Sequence, residues 1–202
     1  MTTIPSSETE LRKVLTLFKG QTCWNVSSGG IGSSLRLFFG KAIETVVRYP
    51  IENPPARNFG GQYELTFVCS WRLDDENYNT FLSGLWSEYH DIKTTTISLI
   101  GDSIESIEII PPLWEATVRF SSGRHLRTFC DSIPGSMANW WCTTEEEAYY
   151  IGPGNEIDKA ERRRHLVSTT LYDPEEIDPE FIISDKDYKP KEVEEQEPDD
   201  QT

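Results

Sequence analysis

A chain of 202 residues with 34 acidic and 19 basic side chains, net charge −15, is long enough for one domain with a full core. It lacks the basic face that nucleic-acid binding requires. The acidity is uneven, because residues 173–202 hold 13 Asp/Glu against 3 Lys, a net −10, which leaves −5 for residues 1–172.

Residues 7–19 predict a helix. Ser7 and Glu10 have the spacing of a reciprocal capping box, and Leu11, Val14, Leu15 and Phe18 recur along one face before Gly20. The period then changes to two. Ile31, Ser33, Leu35, Leu37 and Phe39 alternate with Gly32, Ser34, Arg36 and Phe38, Gly40-Lys41 reads as a turn, and residues 42–48 read as the returning strand. Residues 50–61 are rich in Pro, Asn and Gly and read as a loop. Tyr63, Leu65, Phe67, Cys69, Trp71 and Leu73 then mark one long strand. Phe81, Leu82, Leu85, Trp86 and Tyr89 share a helical face, predicting a short helix within 77–89. Further strands are expected at 95–100, 104–110, 114–120, 124–130, 139–143 and 148–151, separated by Gly101-Asp102, Pro111-Pro112, Ser122-Gly123 and a closing Gly152-Pro153-Gly154. The spacing points to a mainly β fold, an antiparallel sandwich or barrel-like domain with an N-terminal helix.

The expected organisation is a β-rich globular domain over 1–154, a helical extension over 155–172 carrying Arg162-Arg163-Arg164, and an acidic disordered tail over 173–202. The tail's four prolines and dense acids leave little apolar surface to offset chain entropy. Phe181, within Phe181-Ile182-Ile183, is its one apolar knot. No run nears the roughly 18 apolar residues of a membrane span. Met1-Thr2-Thr3-Ile4-Pro5 has neither region of a secretory signal. A cytoplasmic location without membrane attachment is therefore expected.

Chemistry-bearing motifs are sparse. Cys23, Cys69, Cys130 and Cys142 form no close pair in sequence and do not cluster with His90, His125 or His165, so neither zinc nor any other cofactor is implied. The Gly-rich run 28–34 leads into a strand, whereas a phosphate cradle precedes a helix. His125 has Ser121, Ser122 and Asp131 nearby in sequence, and an enzyme site assembled from these residues and arginines is the alternative to a binding function. Arg162-Arg163-Arg164 reads as a solvated helix face or as a receiver for the acidic tail.

Large apolar doublets on strands place one member on each face of a sheet. From Phe38-Phe39, Trp140-Trp141 and Tyr149-Tyr150, the outward members Phe38, Trp141 and Tyr150 are candidate partner-binding residues. The acidic clusters Asp74-Asp75-Glu76 and Glu145-Glu146-Glu147, together with Phe181, complete the set. These features suit a non-enzymatic protein that binds a basic protein partner; a structural or assembly subunit is a further alternative.

The pattern Ser34-x-Arg36-Leu37-x-Phe39-Gly40, Cys69-Ser70-Trp71-Arg72-Leu73, Val118-x-Phe120-x-x-Gly123-x-x-Leu126-x-x-Phe129 and Asn139-Trp140 resembles small bacterial β-rich proteins. Some of those are similar to immunity proteins found beside polymorphic toxins. The likeness spans residues 30–151 and carries over no functional residue. What it implies is an immunity or inhibitor role, by analogy alone.

Overall fold

The helical spacing of Leu11, Leu15 and Phe18 is realised in helix α1 (Ser6–Leu15) and a following 3-10 turn (Thr16–Phe18), which bury all three side chains. Gly20 then takes a positive φ of 79°. The Glu10 carboxylate, expected in a capping box, pairs with Lys159 at 3.4 Å. The computed structural model describes residues 6–28, 34–45, 59–83, 89–130, 138–153, 156–162 and 166–177.

The described strands are β1 (Cys23–Ser28), β2 (Leu35–Thr45), β3 (Phe59–Phe67), β4 (Ser70–Asp74), β5 (Thr80–Ser83), β6 (Ile104–Ile110), β7 (Glu115–Phe120), β8 (His125–Phe129), β9 (Trp140–Thr143), β10 (Glu147–Ile151), β11 (Ile157–Glu161) and β12 (Leu166–Tyr172). They form two antiparallel sheets. One runs β1-β2-β3-β9-β10-β11, with β12 pairing β2; the other runs β5-β4-β8-β7-β6. The expected antiparallel, mainly β fold with an N-terminal helix is the observed one.

The single long strand expected over 63–73 is two strands in different sheets. The amides of Val68 and Cys69 both donate to the Asn139 carbonyl at 2.9 Å, which turns the chain from one sheet into the other. On the opposite side, backbone bonds between residues 20–23 and 101–104 join the sheets again, among them Gly20 N to Ile104 O and Cys23 N to Asp102 O at 2.8 Å. Both sheets and α1 share one core. Within it Trp140 stacks near Phe67, and its indole N–H donates to the Trp114 carbonyl at 2.8 Å.

Several expectations are corrected. Gly40-Lys41 is a bulge inside one continuous strand, not a turn: the pairing shifts between Phe39–Tyr63 and Ala42–Gly61, and Gly40 supplies a φ of 69°. The loop expected through residue 61 ends earlier, because Phe59, Gly60 and Gly61 pair with β2. A Cβ on Gly61 would lie 2.5 Å from the Tyr63 carbonyl, so only glycine fits there. Within the helix expected over 77–89, residues 80–83 form β5. Helix α2 (Tyr89–Thr96) and a 3-10 turn (Ile97–Leu99) occupy most of the strand expected over 95–100. The β-branched run favours a strand locally. Burial of Ile92, Thr96 and Leu99 on one face, with Thr96 Oγ1 bonded to the Ile92 carbonyl at 2.7 Å, decides for the helix.

The expected helical extension is also replaced. Ile157–Glu161 adds to β10, and Leu166–Tyr172 adds to β2. Arg162 is buried rather than solvated. Its Nη1 donates to the carbonyls of Gln62 (3.0 Å) and Thr144 (2.7 Å), and its Nη2 to the Gly61 carbonyl (2.8 Å) and Glu64 Oε1 (2.7 Å). This use excludes Arg162 as a receiver for the tail; Arg163 and Arg164 lie outside the described residues.

The start of the expected tail is docked on the domain. Asp173 pairs with Lys41 at 2.7 Å, a 3-10 turn follows (Pro174–Glu176), and Ile177 is buried beside Ala42 and Phe59. Residues 178–202, Phe181 among them, lie outside the described residues. No described helix is long and apolar enough to cross a membrane.

Removing the Arg162 guanidinium strands the buried Glu64 carboxylate and three carbonyls. Arg162→Ala should therefore cost about 3–5 kcal/mol in urea unfolding. Arg162→Lys should fall between wild type and alanine, since an ammonium cannot reproduce the planar fork.

Candidate functional site

A groove of about 260 Å³ lies between α1 and the β9–β10 turn. Val14 and Leu17 of the helical segment and Tyr63 of β3 supply its apolar surface, and Glu145, Glu146 and Glu147 form an acidic lip. Leu17 lies off the buried Leu11–Leu15–Phe18 stripe and is 48% exposed. Tyr63 packs against Phe18 with ring centres 5.4 Å apart. Thr144 shapes the lip: its amide donates to the Glu147 carbonyl at 2.8 Å, and its hydroxyl accepts from the Glu147 amide at 3.2 Å.

The three carboxylates are not equivalent. Glu147 pairs with Lys159 at 2.7 Å and accepts from the Tyr149 hydroxyl at 2.9 Å; the Lys159 bond is the larger cause holding its carboxyl below the usual range. Glu145 accepts from the Gln62 side-chain amide. Among the described residues, neither Glu145 nor Glu146 has an ion-pair partner. Burial, reinforced by Glu145, raises the Tyr63 hydroxyl above its ordinary pKa. Carboxylates without an ion-pair partner among the described residues, beside an apolar floor, match a cationic side chain with an aliphatic stem.

The other acidic cluster is a different structure. Asp74 is fully buried and accepts from Arg72 Nε at 3.2 Å, Arg127 Nε at 2.6 Å and Thr80 Oγ1 at 2.7 Å. Arg72 and Arg127 stand directly opposite each other across β4 and β8, so Asp74 separates two like charges. Asp75 accepts from the Asn77 and Asn79 amides, both at 2.8 Å, and from the Asn79 side chain at 3.0 Å. The Asn79 bonds are the main cause of its lowered pKa. Glu76 is exposed and lies beside Gly123. Asp74 therefore offers a partner no acidic surface, and Asp75 is occupied in its own turn.

Phe38 is buried, 4% exposed, with the Trp24 ring 5.7 Å away, so the expectation of an exposed aromatic is corrected there. Trp141 and Tyr150 are half-buried cross-strand neighbours with ring centres 5.9 Å apart. Strand alternation puts Trp141 on the face opposite the buried Trp140 and Cys142. The aromatic pair does not line the groove. Of the floor residues, Val14 and Tyr63 read in the sequence as core positions of a helix and a strand, and Leu17, apolar outside the helical stripe, is the one local signal for the groove.

His125 is buried, and its ring lies 4.5 Å from that of Tyr78. Among the described residues its Nδ1 has no hydrogen-bond partner. The Ser121 hydroxyl accepts from the Ser103 amide at 3.1 Å and the Ser122 hydroxyl donates to Asp102 at 2.6 Å, so neither is bonded to His125; Asp131 lies outside the described residues. Burial first, then Arg119 and Arg127, lowers the His125 pKa. Among the described residues, no group of three or more His, Cys, Asp or Glu side chains is arranged to hold a metal.

Comparison with protein-family models, curated proteins and solved structures finds no match, so the functional reading rests on the groove and its neighbours.

Asp74→Ala should cost about 2–3 kcal/mol in chemical denaturation through loss of charged hydrogen bonds. Glu145→Gln and Glu146→Gln should each stay within about 0.5 kcal/mol of wild type. A depressed folded-state pKa means that the unfolded chain takes up the His125 proton first as pH falls. This contribution to stability is complete above the ordinary histidine value of 6.5 and is lost on acidification towards the lower folded value. Denaturation midpoints measured between pH 7.5 and 5 should fall less steeply for His125→Gln than for wild type.

Proposed function

We propose that this chain is a non-enzymatic, cytoplasmic binding protein that engages a basic protein partner, in the manner of an immunity or inhibitor protein. The observation that carries this reading is the pair Glu145 and Glu146, without ion-pair partners among the described residues, over the apolar surface of Val14, Leu17 and Tyr63. Carboxylates already neutralised internally, such as Asp74, cannot attract a partner; these two can. A lysine or arginine of the partner lays its stem on the apolar residues and its charge against the lip. Residues 178–202, with 10 Asp/Glu and 3 Lys, add a long-range field that accelerates encounter with a basic surface. The resemblance over residues 30–151 to β-rich proteins akin to immunity proteins supports the inhibitor form.

The test is calorimetric titration with a short peptide of alternating lysine and leucine, using the full chain and a chain ending at residue 177. Glu145→Lys/Glu146→Lys should weaken binding about tenfold or more in both lengths, and raising the salt should weaken it further. Unchanged affinity in the double variant, or binding that disappears with residues 178–202 alone, would overturn the groove as the site.

A further inference from the structure

Two of the four cysteines meet. Cys69 follows β3 at the corner between the sheets, and Cys130 follows the last residue of β8. The β4–β8 register pairs Ser70 with Phe129, so one further step along the ladder puts Cys69 opposite Cys130. Their Sγ atoms lie 3.9 Å apart, and both residues are buried without being fully sealed, 9% and 8% exposed. Cys23 and Cys142 are completely buried, and burial pushes the Cys142 thiol up to about 12.

The position of the pair is as informative as its distance. Strands β4 to β8, the whole five-stranded sheet, lie between residues 69 and 130. Cys69 stands where the chain passes into that sheet and Cys130 where it leaves. A bond between them would close the sheet into one covalent loop spanning 61 positions.

We propose that Cys69 and Cys130 form a reversible disulfide when the protein meets a low-molecular-weight disulfide such as oxidised glutathione, stapling the five-stranded sheet at its base. Closing the gap from 3.9 Å to the roughly 2.05 Å of a disulfide takes a displacement of about 1 Å by each sulfur, within reach of side-chain rotation. The contact with Cys130 and burial raise the Cys69 thiol above its ordinary range. The exchange has the same outcome whichever of the two sulfurs attacks first; in one order Cys130 leads.

Cys130 loses its proton and attacks one sulfur of the small disulfide. That S–S bond breaks, and the departing thiolate takes up a proton. Cys69 then loses its own proton and attacks the Cys130 sulfur of the mixed disulfide, expelling the second small thiol. The two protein sulfurs give up two electrons, and the small disulfide is reduced to two thiols. Cytoplasmic disulfides of this kind are transient and redox-sensing. At 3.9 Å the two sulfurs are in contact and not bonded.

Incubating the native full chain with oxidised glutathione at pH 8, then quenching and counting thiols in denaturant, tests this. The count should fall from four to two, the intact mass should drop by about 2 Da, and peptide mapping should find Cys69 joined to Cys130. The oxidised protein should melt about 5–10 °C higher than the reduced one, and dithiothreitol should reverse the shift. Cys69→Ala and Cys130→Ser, made separately, should each lack the thermal shift. Four thiols remaining, a stable glutathione adduct, or a bond mapped to Cys23 or Cys142 would overturn the proposal. Mapping on the wild-type chain decides the matter even if a variant folds poorly.

Discussion

The buried guanidinium of Arg162 is the interaction on which the seven-stranded sheet depends. A single side chain at the end of β11 reaches the carbonyls of Gly61 and Gln62 on β3, the Thr144 carbonyl in the β9–β10 turn, and the Glu64 carboxylate. A charge taken out of water is tolerated only with its partners in place. These four bonds therefore fix the spacing of three elements at once. They also explain the glycines: a Cβ on Gly60 would come within 2.3 Å of Glu64 Oε1, the oxygen that Arg162 binds. The same network holds the turn that displays Glu145 and Glu146, so the groove inherits its shape from a buried ion pair that does not line it.

Charge in this chain has two fates, and they explain why an acidic composition alone is a poor guide to binding. Asp74 and Glu64 are internal, each matched by arginine, and Glu147 is matched by Lys159. Asp173 is matched by Lys41, and this pair anchors the chain after β12 to β2. What a partner can use is the remainder. Glu146, exposed, and Glu145, half-buried, stand out because neither has an ion-pair partner among the described residues and both adjoin an apolar surface. Trp141 and Tyr150, on another part of the surface, form a separate half-buried aromatic pair.

Local periodicity is legible wherever one face of one element meets the core. The stripe of α1 and the alternation in β7, β8 and β9 are of that kind, and these elements stand where the residue pattern predicts them. It fails where two signals compete within a few residues. The β-branched stretch after Lys93 reads as a strand, yet Ile92, Thr96 and Leu99 must share a helical face to reach the core. Gly40 reads as a turn, but a positive φ serves a bulge equally well, and only the neighbouring strand distinguishes them. The polar residues of β11 alternate too weakly to be told from a solvated helix; its strand character comes from pairing with β10.

By itself, the sequence determined the mainly β class, the N-terminal helix and the concentration of acid near the C-terminal end, because composition and short periodicities are properties of neighbours along the chain. Tertiary structure alone decided that residues 63–73 serve two sheets, that Cys69 meets Cys130, and that Asp74 and Arg162 are internal. Each of these depends on groups far apart in sequence: Arg162 meets Glu64 across 98 positions and Asp74 meets Arg127 across 53. Whether a charge is solvated or buried depends on what the fold places beside it, and no local pattern contains that partner.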